Sequence, residues 1–432
     1  MRNCLNIGWI FLYVNISYGQ IQYNPHPTSA LNGKVLVFFN GTIDSAYSSR
    51  GNLANGNENL EQRVIDVINA AKQSIDLTSY ELNSLNIVVA LCKAHERGVR
   101  VRIIFDDDAA PKNNSDLWKT ARQLLEKRYK VPIMSDAGWP WVQTKTNFYK
   151  GHRAQMHHKF LIADYLSPDS TDDIVITGSY NFTITGLVSM QNMVKIQSRA
   201  LAKIYTEEFE IMWGSSSSVP DTTLARFHQY KSKVSGNQIK IDGTSIQAYF
   251  TPMNLKAGKT SFLDLLADLV TKETQHDIKI CAFSFSTGIE IDDAIKEKFD
   301  KHSIDLKAVF EPSLGKQYWS LYAAMTQSEK SKKPWDKKAE AYLAVEDRHL
   351  HHKYLLIDAE NPDSNDVPVV ITGSLNFSKN ANEVNDDNFL IIRDKKIVNQ
   401  YLQEFYARFR QAKNHEKSFK VSDEINEANI ED

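Results

Sequence analysis

The chain has little of what marks disulfide-rich, polycationic or membrane-embedded proteins. Its 432 residues include only 3 cysteines, which are too few for a disulfide framework. The formal net charge is −2, so no global positive charge attracts polyanions, although a local basic groove is compatible with it. After the first residues, no run is apolar enough to cross a bilayer. A content of 42% hydrophobic and 24% charged residues is typical of soluble globular proteins.

The length predicts two fused units. A chain of 432 residues is too long for one ordinary hydrophobic core and fits two domains of roughly 200 residues each. We place the first half at 31–213, a linker that opens with a glycine and four serines at 214–240, and the second half at 241–412. The polar, acidic residues 413–432 are expected to form a frayed or disordered tail.

The N-terminus has the pattern of a secretory signal peptide over residues 1–19. A weakly basic start precedes a mostly apolar run from Leu5 to Tyr18, and Ser17 and Gly19 supply small residues for cleavage. The run is short for a membrane span. A retained anchor or a buried strand is the alternative. The pattern therefore predicts a secreted or periplasmic protein.

One block of sequence occurs twice. Residues 156–164 read Met-His-His-Lys-Phe-Leu-Ile-Ala-Asp, and residues 350–358 read Leu-His-His-Lys-Tyr-Leu-Leu-Ile-Asp. Val-Ile-Thr-Gly-Ser-x-Asn-Phe follows each block, at 175–182 and at 370–377. Two copies with the same downstream partners indicate one two-fold site. Its predicted members are one histidine, one lysine and one asparagine from each half: His157, Lys159 and Asn181, with His351, Lys353 and Asn376.

Each block is predicted to be a β-strand because it continues into a run of apolar and β-branched residues. Residues two apart on a strand share a face, so His157 and Lys159 point one way while His158 points the other. The Val-Ile-Thr runs predict the second strand of a hairpin that returns each asparagine to its own histidine. The alternatives are a chance basic pair on a surface strand, or a zinc site from the paired histidines that no cysteine or HExxH element supports.

The residue types suit a phosphodiester and require neither a metal nor a cofactor. Two ammonium groups and two carboxamides are suitable donors to the phosphate oxygens, and Ser179 and Ser374 are predicted to add hydroxyl donors. Imidazole titrates near neutrality, so one ring can be the nucleophile while its neighbour donates a proton.

The doubled His-x-Lys-x4-Asp and Gly-Ser-x-Asn pattern resembles the phospholipase D superfamily of phosphodiesterases, from about Lys34 to about Arg410. The resemblance implies that one histidine attacks phosphorus to form a phosphohistidine, while the other protonates the leaving oxygen and then activates water. His157 and His351 match these two positions, and the resemblance makes the N-terminal histidine the nucleophile.

The family pattern also implies an orienting acidic residue downstream of each Gly-Ser-x-Asn. Gln191 replaces this residue in the first half, and Asp387 keeps it in the second. Pairing each with the histidine of its own half predicts Gln191 beside His157 and Asp387 beside His351. A nearby carboxylate favours imidazolium, so His351 is predicted to be the more readily protonated ring.

The same order of elements recurs in both halves, which indicates an α/β fold with two similar phospholipase D-like halves. Each half is expected to be a mixed β-sheet flanked by helices, with the active site at their interface. The motif aspartates Asp164 and Asp358 fall on the strand face opposite the lysines, so we predict that they cap turn amides or pair with a neighbour. Predicted strands and helices alternate at 35–39, 58–71, 74–80, 87–97 and 99–106, and again at 246–250, 261–272, 277–284, 289–302 and 304–311.

Segments between the repeated elements are expected to shape the substrate. Aromatic residues are candidates to contact acyl chains, a membrane surface or bases, with ordinary loop packing as the alternative. These are Trp139, Trp141, 317–319 and Trp335. Positive charge at the pocket mouth is expected from Lys150, His152, Arg153, Arg348 and His349.

The predicted function is hydrolysis of glycerophospholipids to phosphatidic acid and a free head group, with peripheral contact to a membrane surface. The alternative is a nuclease that holds DNA or RNA in the same two-histidine site. Phosphatidyl transfer of the cardiolipin synthase kind lacks the expected membrane helices, and a noncatalytic scaffold is disfavoured because neither motif is degraded. No obligate protein partner is inferred.

Overall fold

The computed structural model contains two halves of the same α/β design packed against each other. It describes residues 23–107, 116–136, 148–149, 152–234, 237–252, 261–302, 304–346, 348–360 and 366–428. The predicted signal peptide at 1–19 lies outside these residues.

The first half contains one eight-stranded mixed sheet. Its strands are β1 (Ser29–Ala30), β2 (Val35–Phe39), β3 (Ser74–Ser79), β4 (Arg100–Phe105), β5 (Ile133–Ser135), β8 (Lys159–Ala163), β9 (Ile174–Gly178) and β10 (Asn192–Gln197), and a separate pair consists of β6 (Phe148–Tyr149) and β7 (His152–Arg153). The helices are α1 (Leu60–Ala70), α2 (Leu85–Glu96), α3 (Asp116–Arg122, followed by a π-helical stretch at Gln123–Tyr129) and α4 (Arg199–Trp213). The sheet order is β1-β2-β10-β9-β8-β3-β4-β5.

The second half repeats this sheet. Its strands are β11 (Gln238–Ile241), β12 (Thr244–Phe250), β13 (Asp277–Ala282), β14 (Asp305–Phe310), β15 (Glu340–Leu343), β16 (Lys353–Ile357), β17 (Val369–Gly373) and β18 (Asn388–Arg393). The helices are α5 (Phe262–Glu273), α6 (Glu290–His302), α7 (Pro312–Gly315), α8 (Leu321–Met325), α9 (Lys379–Glu383) and α10 (Lys395–Ala428). The order β11-β12-β18-β17-β16-β13-β14-β15 matches the first sheet strand for strand, which confirms the predicted α/β architecture.

Helical crossovers explain the parallel part of each sheet. β3 and β4 are parallel, and parallel neighbours require a crossover connection, which α2 supplies. Ser84 caps α2 by accepting from the amide of Ile87, which satisfies one of the unpaired donors of the first turn. Ile87, Val88 and Leu91 are buried, so one face of the helix packs against the sheet.

The strands that begin at Lys159 and Lys353 return as antiparallel hairpins, as predicted, but His157 and His351 lie just before these strands rather than within them. Leu161 of β8 pairs with Ile176 of β9, and β16 pairs with β17 in the same way. Gly178 and Gly373 end the second strand of each hairpin, where the next strand of the sheet passes closely. An added Cβ would lie 2.4 Å from the carbonyl oxygen of Asn192 at Gly178 and 2.2 Å from that of Asn388 at Gly373. Any larger residue would therefore displace the strand that follows the motif.

The two halves are joined by reciprocal hydrogen bonds. The Asn192 carboxamide donates to Thr372 (2.7 Å) and Tyr401 (2.6 Å) of the second half. The equivalent Asn388 carboxamide donates to Thr177 (2.6 Å) and Tyr205 (3.2 Å) of the first half. All six of these side chains are buried, so the interface is continuous with the protein interior rather than a solvated contact.

The structure corrects two of the predicted boundaries. The second sheet begins at Gln238, inside the predicted linker 214–240, and His228 and Lys231 of that linker are buried. The predicted tail 413–432 is not a frayed coil as far as it is described, because α10 continues to Ala428. None of the helices in the described part of the chain combines the length and apolarity needed to span a membrane.

Candidate active site

Two backbone bridges bring the repeated motifs together across the interface. The bridges are parallel and join Met156 to Asp386 and Leu350 to Met190. The amide of His157 donates to the carbonyl of Asp386 (2.8 Å), and the amide of His351 donates to that of Met190 (2.9 Å). Each bridge places the histidine of one half beside the chain that follows Gly-Ser-x-Asn in the other half.

Each histidine is therefore paired with a side chain of the opposite half. His157 Nδ1 lies 2.7 Å from Asp387 Oδ1, and His351 Nδ1 lies 2.8 Å from Gln191 Oε1. The predicted pairing within each half is wrong, because the bridges between halves bring residues together that are far apart along the chain. The carboxylate belongs to His157 and the neutral amide to His351, which reverses the predicted order of basicity.

The hydrogen-bond network assigns both imidazole tautomers. Gln191 Oε1 accepts from the amide of Asn181 (3.2 Å), and Gln191 Nε2 donates to the carbonyl of Gly186 (2.6 Å). An acceptor oxygen must therefore face His351 Nδ1, as a carboxylate oxygen faces His157 Nδ1. Both neutral rings then carry their proton on Nδ1. This leaves Nε2 as the unprotonated, reactive nitrogen of each ring.

The lysines lie close to the histidines and are covered by aromatic rings. Lys159 Nζ donates to the carbonyl of His157 (2.8 Å), and Lys353 Nζ donates to that of His351 (2.9 Å). The ring of Tyr80 packs against His157, with 4.9 Å between centroids, and lies 5.2 Å from Lys159 Nζ. Equivalent contacts come from Phe283 in the second half, at 4.8 Å from His351 and 4.7 Å from Lys353 Nζ.

The sequence-based prediction missed these two aromatic residues. Tyr80 and Phe283 each follow the last residue of a repeated strand, β3 or β13, so a comparison of the two halves at those positions would have found them. By covering one side of each histidine and lysine, they shield these groups from water.

Burial disfavours positive charge in the site before substrate binds. Desolvation and the charge of Lys159 outweigh the opposing effect of Asp387 and lower the pKa of His157 to about 4. Burial lowers the pKa of Lys159 to about 7, and burial with Lys159 lowers the pKa of Lys353 well below its ordinary value. Burial and both lysines also lower the pKa of His351. Charged groups of each half thus shift the pKa of the histidine in the other half. An anion bound between the halves would raise the pKa values of both histidines and both lysines.

Asn181 and Asn376 retain hydrogen-bonding capacity for a ligand. Oδ1 of each carboxamide is buried and has no hydrogen-bond partner among the described residues. A buried amide without a partner is costly, so these groups are suited to meet a bound molecule. Oδ1 accepts hydrogen bonds, and turning the carboxamide over would instead aim its NH₂ donors at an anionic ligand.

The two motif serines have a different role from the predicted one. Ser179 Oγ donates to Asn192 Oδ1 (2.8 Å), and Ser374 Oγ donates to Asp387 Oδ1 (2.6 Å). Both side chains are fully buried. Their hydroxyl protons are therefore used within the protein, and the expectation that they donate to phosphate is corrected. Ser374 shares its acceptor oxygen with His157, so it helps to orient the carboxylate.

The motif aspartates bind backbone amides rather than the phosphate site. Asp164 and Asp358 both adopt a left-handed backbone, with φ of 62° and 53°. Each carboxylate accepts from three consecutive amides at the start of a neighbouring strand, those of Lys72, Gln73 and Ser74 in one half and of Gln275, His276 and Asp277 in the other.

The second histidine of each pair points away from the site. His158 Nε2 lies 3.0 Å from Glu208 Oε1, and His352 Nε2 lies 3.0 Å from Glu404 Oε1. The glutamates come from α4 and α10, which pack behind the strands. In the described portion of the chain, no group of three or more His, Cys, Asp or Glu side chains is placed to hold a metal ion.

Few of the residues predicted at the pocket mouth can be placed. Trp139, Trp141 and Lys150 lie outside the described residues, as do the side chains of His152 and Arg153. Trp335 is buried at 4% exposure and packs near Phe299, so it is a core residue. Tyr318 is 49% exposed. His349 Nδ1 lies 3.0 Å from Glu311 Oε1.

With the fold and site in place, the chain can be assigned to a class of phosphodiesterase-type proteins built from two His-Lys-Asn motifs. A family model described as "Cardiolipin synthase, PLD-like domain" matches residues 64–213 and 270–409. These ranges cover most of the chain and contain both motifs. The chain therefore belongs to the phospholipase D-like family.

Curated relatives are similar over part of the chain. The mitochondrial cardiolipin hydrolase of Canis lupus familiaris is 27% identical over 165 residues, which cover 38% of this chain and 54% of that protein. A phospholipase D of Rickettsia prowazekii is 27% identical over 147 residues, which cover 34% and 58%. The chain thus spans little more than half the length of these relatives.

A solved structure is similar over most of the chain. Phosphatidylserine synthase from Haemophilus influenzae aligns with 87% of this chain and 86% of its own, at 13% identity and a TM-score of 0.54. At this identity the likeness concerns the fold, and it supports the two-half architecture.

Proposed function

We propose that the protein is a phospholipase D-type phosphodiesterase that hydrolyses glycerophospholipids to phosphatidic acid and a free head group. The observation that carries the proposal is the joining of His157, Lys159, His351 and Lys353 across the interface, with one carboxylate, Asp387, hydrogen-bonded to His157. Burial lowers the pKa values of these four basic groups, so a negative charge bound between them stabilises their protonated forms. The phosphate of a diester provides that charge.

In the first step, His157 Nε2 attacks phosphorus and forms a P–N bond. The P–O bond to the leaving group breaks, and His351 Nε2 donates a proton to the departing oxygen. Asp387 accepts the Nδ1 proton of His157 in a hydrogen bond and stabilises the positive charge that develops on the ring. Lys159 and Lys353 neutralise the non-bridging oxygens, and Asn181 and Asn376 add neutral donors.

In the second step, the same groups hydrolyse the intermediate. Neutral His351 accepts a proton from water, whose oxygen attacks phosphorus. The P–N bond breaks, its electrons return to His157 Nε2, and the protonation states are restored. Burial and both lysines hold the pKa of His351 low, and the negative charge of the bound diester raises it, so proton uptake accompanies substrate binding.

A phospholipid substrate is supported by two of the relatives, a cardiolipin hydrolase and a phospholipase D. The described residues offer both a phosphate site and an exposed aromatic residue, Tyr318. Aromatic side chains with a polar tip are favoured where a protein meets a lipid interface. Nucleic acid is the competing substrate, and a direct assay distinguishes the two.

The test is a side-by-side assay of the purified protein. Vesicles of phosphatidylcholine or cardiolipin, single-stranded DNA, and bis(p-nitrophenyl) phosphate as a soluble diester are supplied at equal phosphodiester concentration. We expect turnover of the soluble diester and a higher rate on vesicles than on DNA. A preparation that cleaves only DNA contradicts the lipid assignment. One that cleaves none of the substrates contradicts the proposed reaction, with the His157→Asn/His351→Asn variant as the inactive reference.

A further inference from the structure

One side of the site is supported by a buried ionic cluster from the segment that connects the halves. Asp386 directly precedes Asp387 in the chain. Its Oδ1 accepts a hydrogen bond from the backbone amide of His228 (2.8 Å) and lies 2.9 Å from Lys231 Nζ. The His228 ring lies 3.0 Å from Asp386 and 3.4 Å from Asp136. Lys231 also forms an ion pair with Glu208. All of these side chains are buried.

The backbone of His228 adopts the conformation that this contact requires. Its φ is 55°, in the left-handed region that non-glycine residues seldom occupy. There, the amide reaches one oxygen of Asp386 while the ring reaches the other. The ring contacts are ion pairs rather than well-aligned hydrogen bonds. An uncommon backbone conformation kept by surrounding contacts is a feature of functional segments.

His228, Lys231 and Asp386 are charged at neutral pH. Burial opposes the charge of His228, but Asp386 and Asp136 outweigh it and raise the pKa to about 10. Burial also opposes the charge of Lys231, and Asp386 with Glu208 raises its pKa. Desolvation favours the neutral form of Asp386, but Lys231 and His228 hold the pKa of its carboxyl far below its usual range.

The cluster reaches Asp387 from two directions. On one side, Lys231 contacts Asp386, the preceding residue. On the other, Lys231 Nζ donates to the carbonyl of Thr251 (2.9 Å). The Thr251 hydroxyl in turn accepts from the Asp387 amide (3.1 Å), and the Thr251 amide donates to the Asp387 carbonyl (2.8 Å). One ammonium group therefore contacts both supports of the carboxylate that holds His157.

The opposite side of the site has different supports. Met190 takes the place of Asp386, and its sulfur accepts from Arg408 (3.3 Å). Gln191 is held by a neutral side chain, because its amide donates to Asn40 Oδ1 (2.8 Å) and its carbonyl accepts from the Asn40 amide (3.3 Å). Among the described residues of the connecting segment, the contacts to the site reach the His157 side.

We propose that His228 and Lys231 are positioning residues for His157, acting through Asp386 and Asp387. Docking of the connecting segment holds the Asp387 carboxylate on His157 Nδ1 and so aims Nε2 at phosphorus. The kinetic part of this inference rests on the proposed function. Neither residue touches the reacting atoms, so their effect must pass through Asp387.

The first measurement compares two buried lysines. Lys279 is a matched control because it is also fully buried, with ion pairs to Asp305 (2.6 Å) and Glu360 (3.0 Å), neither of which is a residue of the site. We expect Lys231→Met to lower kcat on the soluble diester by about 10-fold or more with little change in KM. Both methionine variants should lower the melting temperature by similar amounts, but Lys279→Met should leave kcat unchanged. Lys231→Arg should recover most of the kcat that Lys231→Met loses.

A double-mutant cycle tests whether the effect passes through Asp387. In an Asp387→Asn background, Lys231→Met should change kcat by less than about 2-fold, because the contact it supports is already lost. Lys279→Met should be additive in either background. Equal losses from Lys231→Met with and without Asp387 would overturn the proposal. If Lys231→Met does not fold, His228→Asn provides the same cycle, because asparagine tolerates the left-handed backbone.

An NMR measurement reads the geometry without turnover. The Nδ1 proton of His157, assigned by its loss in His157→Asn, should exchange faster with water in Lys231→Met and in His228→Asn but not in Lys279→Met. An unchanged signal in the first two variants contradicts the positioning role. Wild-type protein that turns over no diester contradicts the proposed function instead, and this measurement still decides the inference.

Discussion

The two histidines of the site occupy equivalent places just before equivalent strands, yet their surroundings differ in charge. His157 is hydrogen-bonded to the carboxylate of Asp387, whereas His351 is hydrogen-bonded to the neutral amide of Gln191. Both acceptors fix the same tautomer, but only the carboxylate can stabilise a positive ring. A two-fold fold can thus place two similar groups on one phosphate and still give them different tasks.

The largest expected effect comes from removing either ring. His157→Asn and His351→Asn should each lower kcat by about 10³-fold or more, because each ring has a covalent or proton-transfer task that the other cannot perform. Quenching during turnover of a labelled diester should trap a phosphoenzyme in the His351→Asn variant and none in the His157→Asn variant. Near-normal activity after either change would mean that the two halves do not share one site.

Asp387→Asn should have the next largest effect, a loss of about 10- to 100-fold in kcat. Asp387 raises the pKa of His157 against the effect of burial, so its neutralisation lowers that pKa further. More of the nucleophile is then neutral at a given pH, and the acidic limb of kcat/KM should move to lower pH. Movement to higher pH would contradict the pairing of Asp387 with His157.

Gln191→Glu should have a smaller effect and act on the other ring. A carboxylate beside Nδ1 raises the pKa of His351, so the alkaline limb of kcat should move to higher pH, because kcat reports the enzyme with substrate bound. The acidic limb should stay in place. A shift of the acidic limb alone would restore the pairing within each half that the sequence suggested.

Removing metal ions should not change the activity of the site that the two halves form. Lys159, Lys353 and the two imidazoles supply the positive charge that a metal would otherwise bring to phosphate. Turnover of the soluble diester should therefore be unchanged after treatment with EDTA and gel filtration. Activity that is lost and then restored by added zinc would contradict this mechanism.

Much of the fold followed from local pattern. The strands that carry Lys159 and Lys353 and their hairpin partners were predicted because alternation and β-branched runs act over a few residues. The helical state of residues 413–428 was not predicted, because their polar composition suggested a frayed coil. In the structure they continue a helix whose earlier turns are buried. Propensity is a weak guide where packing of a neighbouring segment determines the state of a chain.

Residue spacing by itself indicated which motif side chains lie together. His157 and Lys159 lie two residues apart, as do His351 and Lys353, and the duplication indicated that the two sets act together. Only the tertiary structure decided which acceptor each histidine meets, because parallel bridges between the halves place Asp387 beside His157. Contacts between residues 230 or 160 positions apart depend on how the two halves pack, and local spacing carries no record of that packing.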